Sequence, residues 1–331
     1  MTTTVQDRVR GCLMGQFAGD SLGSLVEFRT ARDIARQYPA GVRELADGGT
    51  FNTLAGQPTD DSELALTLAR SIVAAGRYNA DDARAGYVEW YRSGPFDIGG
   101  TTAAALSRPT GGKLPEASQA SQANGSLMRV SPLGIVAVGS PDLAARWALQ
   151  DSALTHPNEV CRWACVAYVA AIGTAIRTGN ARQAFAAASE AASETDERAR
   201  PILEALARAR TELPEDFEHQ QGWVLTAFQN TFYQLIHAPS LEEGVVATVG
   251  MGGDTDTNGC IAGALLGAVH GVDAIPYQWV HAVLNCRPEA GPGVRHPRPR
   301  RYWPIDAIRL ADQLLLVGQR LDHKDLGVGG T

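Results

Sequence analysis

A row of glycines near the N-terminus places the strongest constraint on the fold. Gly11, Gly15, Gly19 and Gly23 follow one another at intervals of four residues in "GCLMGQFAGDSLG". This spacing puts all four on one face of an α-helix, which therefore carries no side chains. Each glycine in a helix interior costs roughly 1 kcal/mol relative to alanine, so another contribution must offset the row. We expect a second helix to approach this face closely.

The rest of the chain also follows a helical period. "SELALTLARSIVAAG" places Leu64, Leu68 and Ile72 on one stripe, and "VCRWACVAYVAAIGTAIRTG" is apolar almost all round, which predicts a central helix buried on every side. The segment "GIVAVG" is a weak strand candidate, and alternating β-branched runs of strand length are otherwise absent. The sequence therefore predicts an all-α fold, a compact bundle of about a dozen helices.

The 331 residues show neither a fixed-period repeat nor a shift in composition that would mark a boundary. We predict one domain over residues 1–324 and a flexible tail, "DLGVGGT", over residues 325–331. Long Gly/Pro/Ser/Thr-rich connections such as "RELADGGTFNTLAGQPTDD" and "LSRPTGGKLPEASQASQANG" are typical of functional or disordered loops.

Charge and targeting patterns narrow the possible partners. The net charge of −7 would repel nucleic acid and acidic membranes, so neither is expected as a partner. The five cysteines form no C-x-x-C pair and are interpreted as reduced core thiols. No signal peptide or run of about 20 apolar residues is present, so a cytoplasmic protein is expected, with a monomer favoured.

Two loop-to-helix junctions carry the same unusual side chains. "PTDDSELAL" contains Asp60 and Asp61, and "GGDTDTNG" contains Asp254 and Asp256, each pair with neighbouring threonines. One interpretation is helix N-capping, but one carboxylate caps one helix, which leaves the second acid of each pair unexplained. The other is that the junctions face each other around cations, because four close carboxylates would otherwise repel and become protonated.

The ligand chemistry favours hard cations. Carboxylate and hydroxyl oxygens without His or Cys suit Mg²⁺, Mn²⁺ or Ca²⁺ rather than zinc. A shared carboxylate would bridge two ions at about 3.5–4 Å. An EF-hand is a poor alternative, because no Glu follows at the twelfth loop position. Asp20 and Glu27 lie near the end of the glycine-row segment and add two more acids.

Taken together, these fragments resemble the ADP-ribosylglycohydrolase family. The motifs are the glycine row continuing into "GDSLGSLVE", then "TDDS" and "GGDTDTNGCIAGALLGA", and the similarity runs from about Arg8 to Leu315. The resemblance implies an all-helical fold with two Mg²⁺ or Mn²⁺ ions in a cleft, Ca²⁺ being a further possibility. By position, it implies these metal ligands: Thr59, Asp60, Asp61, Asp254, Asp256 and Thr257. The family more often has threonine where "TDDS" ends in serine, which keeps the hydroxyl.

The resemblance also implies substrate-binding loops in the middle of the chain. "GPFDIGGTT" is similar to a loop that lines ribose and diphosphate, "SQANGSLMR" to a phosphate cradle, and "THPNEV" to a segment whose histidine reaches the same groups. The residues implied are Asp97, Gly99, Gly100, Ser121, Asn124, Gly125, Ser126 and His156. Each segment is short, and the alternatives are a common Asn-Gly turn and a histidine that only enters a helix.

The implied reaction is cleavage of a glycosidic bond at C1″ of ADP-ribose, which builds oxocarbenium character. A metal-bound water would attack, Asp61 or Asp254 would take its proton, and Glu27 or Asp97 would serve the leaving group. The expected substrate is an ADP-ribosylated protein modified on arginine, with ADP-ribose as product. The alternatives are O-linked ADP-ribose on serine, a small-molecule conjugate, or a non-catalytic binding or crystallin-like structural protein.

Two weaker features remain. "RHPRPRR", residues 295–301, fits either phosphate or acidic-partner binding or an internal ion-pair network. The aromatic residues of "VEWYRSG" fit adenine stacking, although core packing is the expected role of Trp90.

Overall fold

The computed structural model describes residues 3–109, 112–193 and 197–325. The predicted tail lies outside the described residues except for Asp325, which ends the last helix. Within the described ranges the α-helices are α1 (Val5–Gly23), α2 (Ala31–Gln37), α3 (Asp60–Ala75), α4 (Ala80–Arg92), α5 (Gly100–Leu106), α6 (Glu116–Ala120), α7 (Ser131–Val136), α8 (Pro141–Ala153), α9 (Glu159–Thr178), α10 (Ala181–Ser193), α11 (Arg200–Ala209), α12 (Val224–His237), α13 (Leu241–Val249), α14 (Thr255–His270), α15 (Tyr277–Asn285) and α16 (Ala307–Asp325).

The all-α prediction is confirmed. Across the described ranges, β pairing is limited to three isolated bridges. There are more helices than the dozen or so expected, because one- and two-turn helices such as α6 occupy the long loops. The strand candidate "GIVAVG" was wrong, since its first three residues belong to α7. Pro132 lies in the first turn of that helix, where its missing N–H costs nothing.

The glycine row of α1 packs against a second glycine row on α14. A Cβ atom built on Gly15 would lie 2.2 Å from the carbonyl oxygen of Gly263, and one on Gly19 would lie 2.1 Å from that of Gly259. Gly11 meets Gly267 in the same way, so the two helices run antiparallel with their backbones in contact. The predicted close approach is therefore present, and the partner row has the same spacing of four residues.

The antiparallel arrangement brings the end of α1 to the start of α14. The Thr255 hydroxyl donates to the carbonyl oxygen of Gly23 at 2.7 Å. Beyond the helices, the backbone N–H of Phe28 donates to Gly253 O at 2.7 Å, and Gly253 N–H donates to Arg29 O at 2.9 Å. The loop after α1 and the loop before α14 are thus held together by their backbones.

The apolar helix α9 is central and buried, as its sequence predicted. Among the described helices, it is the one long and apolar enough by composition to cross a bilayer, and 72% of that stretch is buried inside the protein. On its side facing α14, the Tyr168 hydroxyl donates to Ile261 O at 2.8 Å. The apolar surface of α9 is therefore covered by neighbouring helices.

A buried ion pair fixes the first turn of α3. Glu63 Oε2 accepts from Arg298 Nη2 at 2.7 Å and from Trp90 Nε1 at 2.6 Å, and all three side chains are buried. The segment "RHPRPRR" therefore contributes to an internal ion pair through Arg298. The core position expected for Trp90 is found, and its burial leaves no face for adenine.

The glycine contact yields a stability prediction. Gly263→Ala places a methyl group against the backbone of α1, so we expect the free energy of unfolding to fall by on the order of 3 kcal/mol. Gly86→Ala in α4 is the matched control, because its Cβ would lie 2.8 Å from the Thr67 methyl group, a side-chain end instead of backbone, and alanine favours the helix. Urea unfolding of both variants measures the difference; equal stabilities would contradict the close-contact interpretation.

Candidate metal centre and active-site cleft

The carboxylate of Asp20 joins the end of α1 to the start of α3. It is fully buried and accepts from the Thr59 hydroxyl at 2.8 Å, from Thr59 N–H at 3.2 Å and from Ser62 N–H at 3.1 Å. Asp20 thus satisfies free N–H groups of the first turn of α3, the role usually taken by an N-cap side chain. The sequence analysis singled out Asp20 but did not include it in the ligand set.

The residues at the N-cap positions themselves do not cap. Thr59 precedes α3 and Asp254 precedes α14, and neither side chain makes a capping hydrogen bond. The Thr59 hydroxyl lies 3.0 Å from Asp61 Oδ2, whereas Asp254 Oδ2 accepts from Asn124 Nδ2 at 2.7 Å. Capping therefore does not account for these acids.

Carboxylates from three elements form two clusters with the geometry of cation sites. Asp20, Asp61 and Asp256 form the first, and Glu27, Asp254 and Asp256 form the second. In each cluster, one oxygen from every residue lies within 4.8 Å of the others, and Asp256 belongs to both. The two junctions thus face each other, and Asp256 has the position of a bridging ligand.

Two oxygen atoms in these clusters lack partners. Glu27 Oε2 and Asp61 Oδ1 are buried without a hydrogen bond, although buried polar atoms are nearly always satisfied. The clusters contain only oxygen donors, which match Mg²⁺, Mn²⁺ and Ca²⁺. The residues present therefore fit divalent cations.

Burial and mutual repulsion make the charged state of this site costly. Burial, with Asp254 as the next contributor, raises the pKa of Glu27 to about 9. Burial and the neighbouring Glu27 raise the pKa of Asp97 to about 8. Burial also raises the pKa values of further carboxyls well above their ordinary range: Asp60, Asp61 and Asp256. Among the described residues that line the cleft above them, none is Lys or Arg, so the carboxyls have no permanent positive charge beside them in this wall.

The cleft above these carboxylates has a volume of about 300 Å³. Most residues singled out in the sequence line it, namely Glu27, Asp60, Asp97, Gly99, Gly100, Asn124, Gly125, His156, Asp254, Asp256 and Thr257. Residues that the sequence analysis did not identify also line it, among them Phe28, Thr101, Thr102, Met128, Gln221 and Gly222. The three N-terminal, middle and C-terminal segments therefore meet in one cleft.

Four predicted residues lie outside the cleft wall. Thr59 and Asp61 are buried beside Asp20. Asp61 and Asp254 were the two acids expected to take a proton from water, and of these only Asp254 lines the cleft. The Ser121 hydroxyl bonds Thr101 at 2.8 Å. Ser126 is fully buried, with its hydroxyl 2.9 Å from that of Ser152. Their side chains support the loops instead of lining the cleft.

A buried arginine, unrecognised in the sequence, supports the loop 124–126. Arg129 is fully buried and pairs with Asp151 through Nε at 3.0 Å. Its Nη1 donates to Thr155 Oγ1 at 2.8 Å and to Gly125 O at 3.3 Å. The Tyr87 hydroxyl donates to the other Asp151 oxygen at 2.9 Å. No sequence spacing signals this network, because its members meet only through packing.

The same network determines how His156 is protonated. Thr155 Oγ1 accepts from Arg129 and lies 2.8 Å from His156 Nδ1. Because Thr155 is fully buried and its oxygen already accepts from Arg129, we infer that its hydroxyl donates to Nδ1, which places the imidazole proton on Nε2. Burial, followed by the charge of Arg129, lowers the pKa of His156 to about 3. The ring is therefore neutral and carries an Nε2–H donor beside Gly125.

This assignment predicts a spectroscopic signature. We expect ¹⁵N NMR to show His156 as the neutral Nε2–H form from pH 5 to 9, because its pKa is far below this range. Thr155→Val removes the donor to Nδ1 and should populate the other tautomer, whereas Thr155→Ser should keep the wild-type signal. A wild-type ring protonated on Nδ1 would refute the proposed chain of hydrogen bonds from Arg129 through Thr155 to His156.

The raised carboxyl pKa values predict how metal-free stability depends on pH. Glu27 shifts from an ordinary value of 4.5 to about 9, and Asp97 from 3.8 to about 8, so the folded state binds more protons between pH 4 and 9. In chelator, the free energy of unfolding should therefore fall as pH rises through this window, by up to about 1.4 kcal/mol per pH unit for each proton.

Thermal or urea unfolding across this range measures the slope, and saturating Mg²⁺ should raise stability most at the alkaline end. Glu27→Gln should flatten the metal-free slope. Stability that rises with pH in chelator would show that the cluster is charged without cations.

Comparisons with known proteins identify the relatives of this chain. The model of the ADP-ribosylglycohydrolase family matches residues 1–321. The ADP-ribosyl-[dinitrogen reductase] glycohydrolase of Rhodospirillum rubrum is 30% identical over 84% of this chain and 90% of its own. The ADP-ribosylarginine hydrolase Tri1 of Pseudomonas putida is 28% identical over 84% of this chain and 74% of its own. ADP-ribosylhydrolase ARH3 of Homo sapiens is 24% identical over 82% of this chain and 88% of its own.

A solved structure described as an ADP-ribosylglycohydrolase-related protein complex superimposes with a TM-score of 0.74 and 26% identity, covering 96% of this chain and 100% of that one. The resemblance inferred from the three motifs is thereby confirmed, as is the expectation of an ADP-ribosyl hydrolase. The family model covers nearly the whole chain, so this protein belongs to the ADP-ribosylglycohydrolase family.

Proposed function

We propose that this protein hydrolyses the bond between C1″ of ADP-ribose and an arginine side chain of a modified protein. The observation that carries the proposal is the pair of carboxylate clusters sharing Asp256 beneath a cleft. A relative named ADP-ribosylarginine hydrolase supports arginine as the acceptor. The cleft wall also contains Asp97, a carboxyl outside the two clusters that can accept hydrogen bonds from a guanidinium.

Two divalent cations, Mg²⁺ or Mn²⁺, would be held by the two clusters. Asp256 would contribute to both, with Asp60 and Thr257 in the cleft wall and the Thr59 hydroxyl in contact with Asp20 and Asp61 of the first cluster. Bound cations would neutralise the carboxylate charge and supply Lewis acidity near neutral pH. The unpartnered oxygens of Glu27 and Asp61 support this assignment.

The diphosphate of ADP-ribose would lie against the opposite wall. Backbone N–H groups of residues 100–102, in the uncapped first turn of α5, the N–H of Gly125 and the Nε2–H of His156 would be neutral donors there. A Cβ atom on Gly125 would lie 2.8 Å from His156 Cε1, so this position has no room for a side chain. Neutral donors bind a diphosphate without a lysine or arginine in the wall.

The proton transfers would be divided between the two walls. Water attacks C1″ as the bond to the arginine nitrogen breaks, and Asp254, oriented by Asn124, takes the water proton. Glu27 or Asp97, which both line the cleft, would hold a proton for the departing nitrogen. We also propose one catalytic domain over residues 1–324, because α1 packs on α14 and α16 from the other end of the chain.

Release of ADP-ribose from arginine- and serine-modified peptides tests the proposal. We expect turnover of the arginine-linked peptide with Mg²⁺ or Mn²⁺ and its loss in chelator. Glu27→Gln and Asp97→Asn should each lower kcat about 100-fold if they serve the leaving group. Asp256→Asn should abolish turnover and the binding of both cations, measured by calorimetry.

Asp142→Asn makes the same chemical change at an exposed position in α8 and should leave turnover unchanged. Turnover of the serine-linked peptide alone would replace arginine by serine as the acceptor. Turnover of neither peptide would favour a binding protein, and turnover that persists in chelator would remove the cations from the mechanism.

A further inference from the structure

Phe28 exposes an aromatic ring at the cleft. It follows Glu27 directly, lines the cleft and has 57% of its surface exposed. Large apolar side chains are mostly buried, and in the described part of the chain Tyr277 and Leu316 are the other large ones with comparable exposure. Of these three, Phe28 alone lines the cleft.

The backbone is strained to hold this ring in place. Phe28 has φ of 63°, which lies in the left-handed region of backbone conformation. This conformation is costly for a residue that carries a Cβ atom. The hydrogen bond from Phe28 N–H to Gly253 O, 2.7 Å long, and the bond from Gly253 N–H to Arg29 O keep it there. Strain of this kind concentrates at functional sites.

Other aromatic rings support Phe28 from one side. Its ring lies 6.4 Å from that of Phe51, edge to face, and Phe51 lies 5.6 Å from Phe96 in a similar arrangement. Phe96 in turn stacks on His296 at 4.4 Å. Phe28 is therefore the last ring of a braced series, and its exposed surface remains available at the cleft.

We propose that Phe28 binds the guanidinium of the substrate arginine through a cation–π contact as that group leaves C1″. This inference rests on the proposed function and assigns the acceptor side of the same site. The ring stands beside the carboxyl of Glu27, in a cleft lined by further acids and no described cation. The guanidinium of Arg29, the next residue, donates a hydrogen bond to the side-chain oxygen of Gln37 at the end of α2.

Ligand chemistry separates this subsite from the diphosphate wall. Phe28 belongs to the loop that pairs with residues 252–253, whereas the neutral donors belong to residues 100–102, Gly125 and His156. A guanidinium is planar and weakly hydrated, so it stacks on aromatic faces more readily than an ammonium does. A serine acceptor has no cation and gains nothing from the ring.

A substitution series at Phe28 tests the proposal on the full-length protein. Phe28→Trp and Phe28→Tyr should keep kcat/KM for the arginine-linked peptide within about twofold. Phe28→Leu and Phe28→Ala should lower it about 2- to 30-fold, the equivalent of about 0.5–2 kcal/mol. The serine-linked peptide and the Kd of free ADP-ribose should not change, and an unchanged Kd also shows that each variant is folded.

Tyr277→Ala is the matched control, because this ring is 80% exposed and lies outside the cleft. Equal losses for Leu and for the aromatic variants, or no loss in any variant, would overturn the cation–π assignment while leaving the proposed function intact. A weaker Kd for ADP-ribose in Phe28→Ala would also overturn it and assign the ring to adenine. A wild-type protein inactive on the arginine-linked peptide would overturn both proposals together.

Discussion

The backbone contact between α1 and α14 determines where the site can form. Because both helices present glycine at the contact, their axes approach more closely than side chains would permit, and their antiparallel order sets one helix end against the other. Asp20 at the end of α1 therefore meets Asp256 at the start of α14, and the Asp20 carboxylate in turn holds the first turn of α3. The cost of glycine in two helices is offset by the close packing that it permits, and this packing also fixes the relative positions of the acids.

Some buried carboxylates of this protein have an arginine partner and others have none among the described residues, and those without one lie in or beside the acidic clusters. The buried carboxylates of Asp151 and Glu63 each have an arginine partner, Arg129 and Arg298 respectively. Glu27 and Asp61 keep oxygens without any partner in an equally buried environment. Since the fold supplies counter-charges elsewhere, the acidic cluster is better explained as a place for exogenous cations than as a packing defect.

The sequence was informative where chemistry follows local spacing. The glycine row predicted a close helix partner, and the acids at 60–61 and 254–256 drew notice because capping explains only one acid of each pair. The strand suggested by "GIVAVG" failed because a short apolar run fits either structure, and tertiary packing decided for α7. The Arg129–Thr155–His156 relay left no local pattern, since its members meet only in the folded protein.

The ion pair between Glu63 and Arg298 also affects the order in which the protein can mature. The partners are 235 residues apart, so a ribosome working at about 5–20 residues per second needs on the order of 10–50 s to supply the second after the first. Until then, burial of the first turn of α3 would enclose an uncompensated carboxylate. We therefore expect the acidic clusters, to which α3 contributes Asp61, to assemble only after Arg298 has been synthesised.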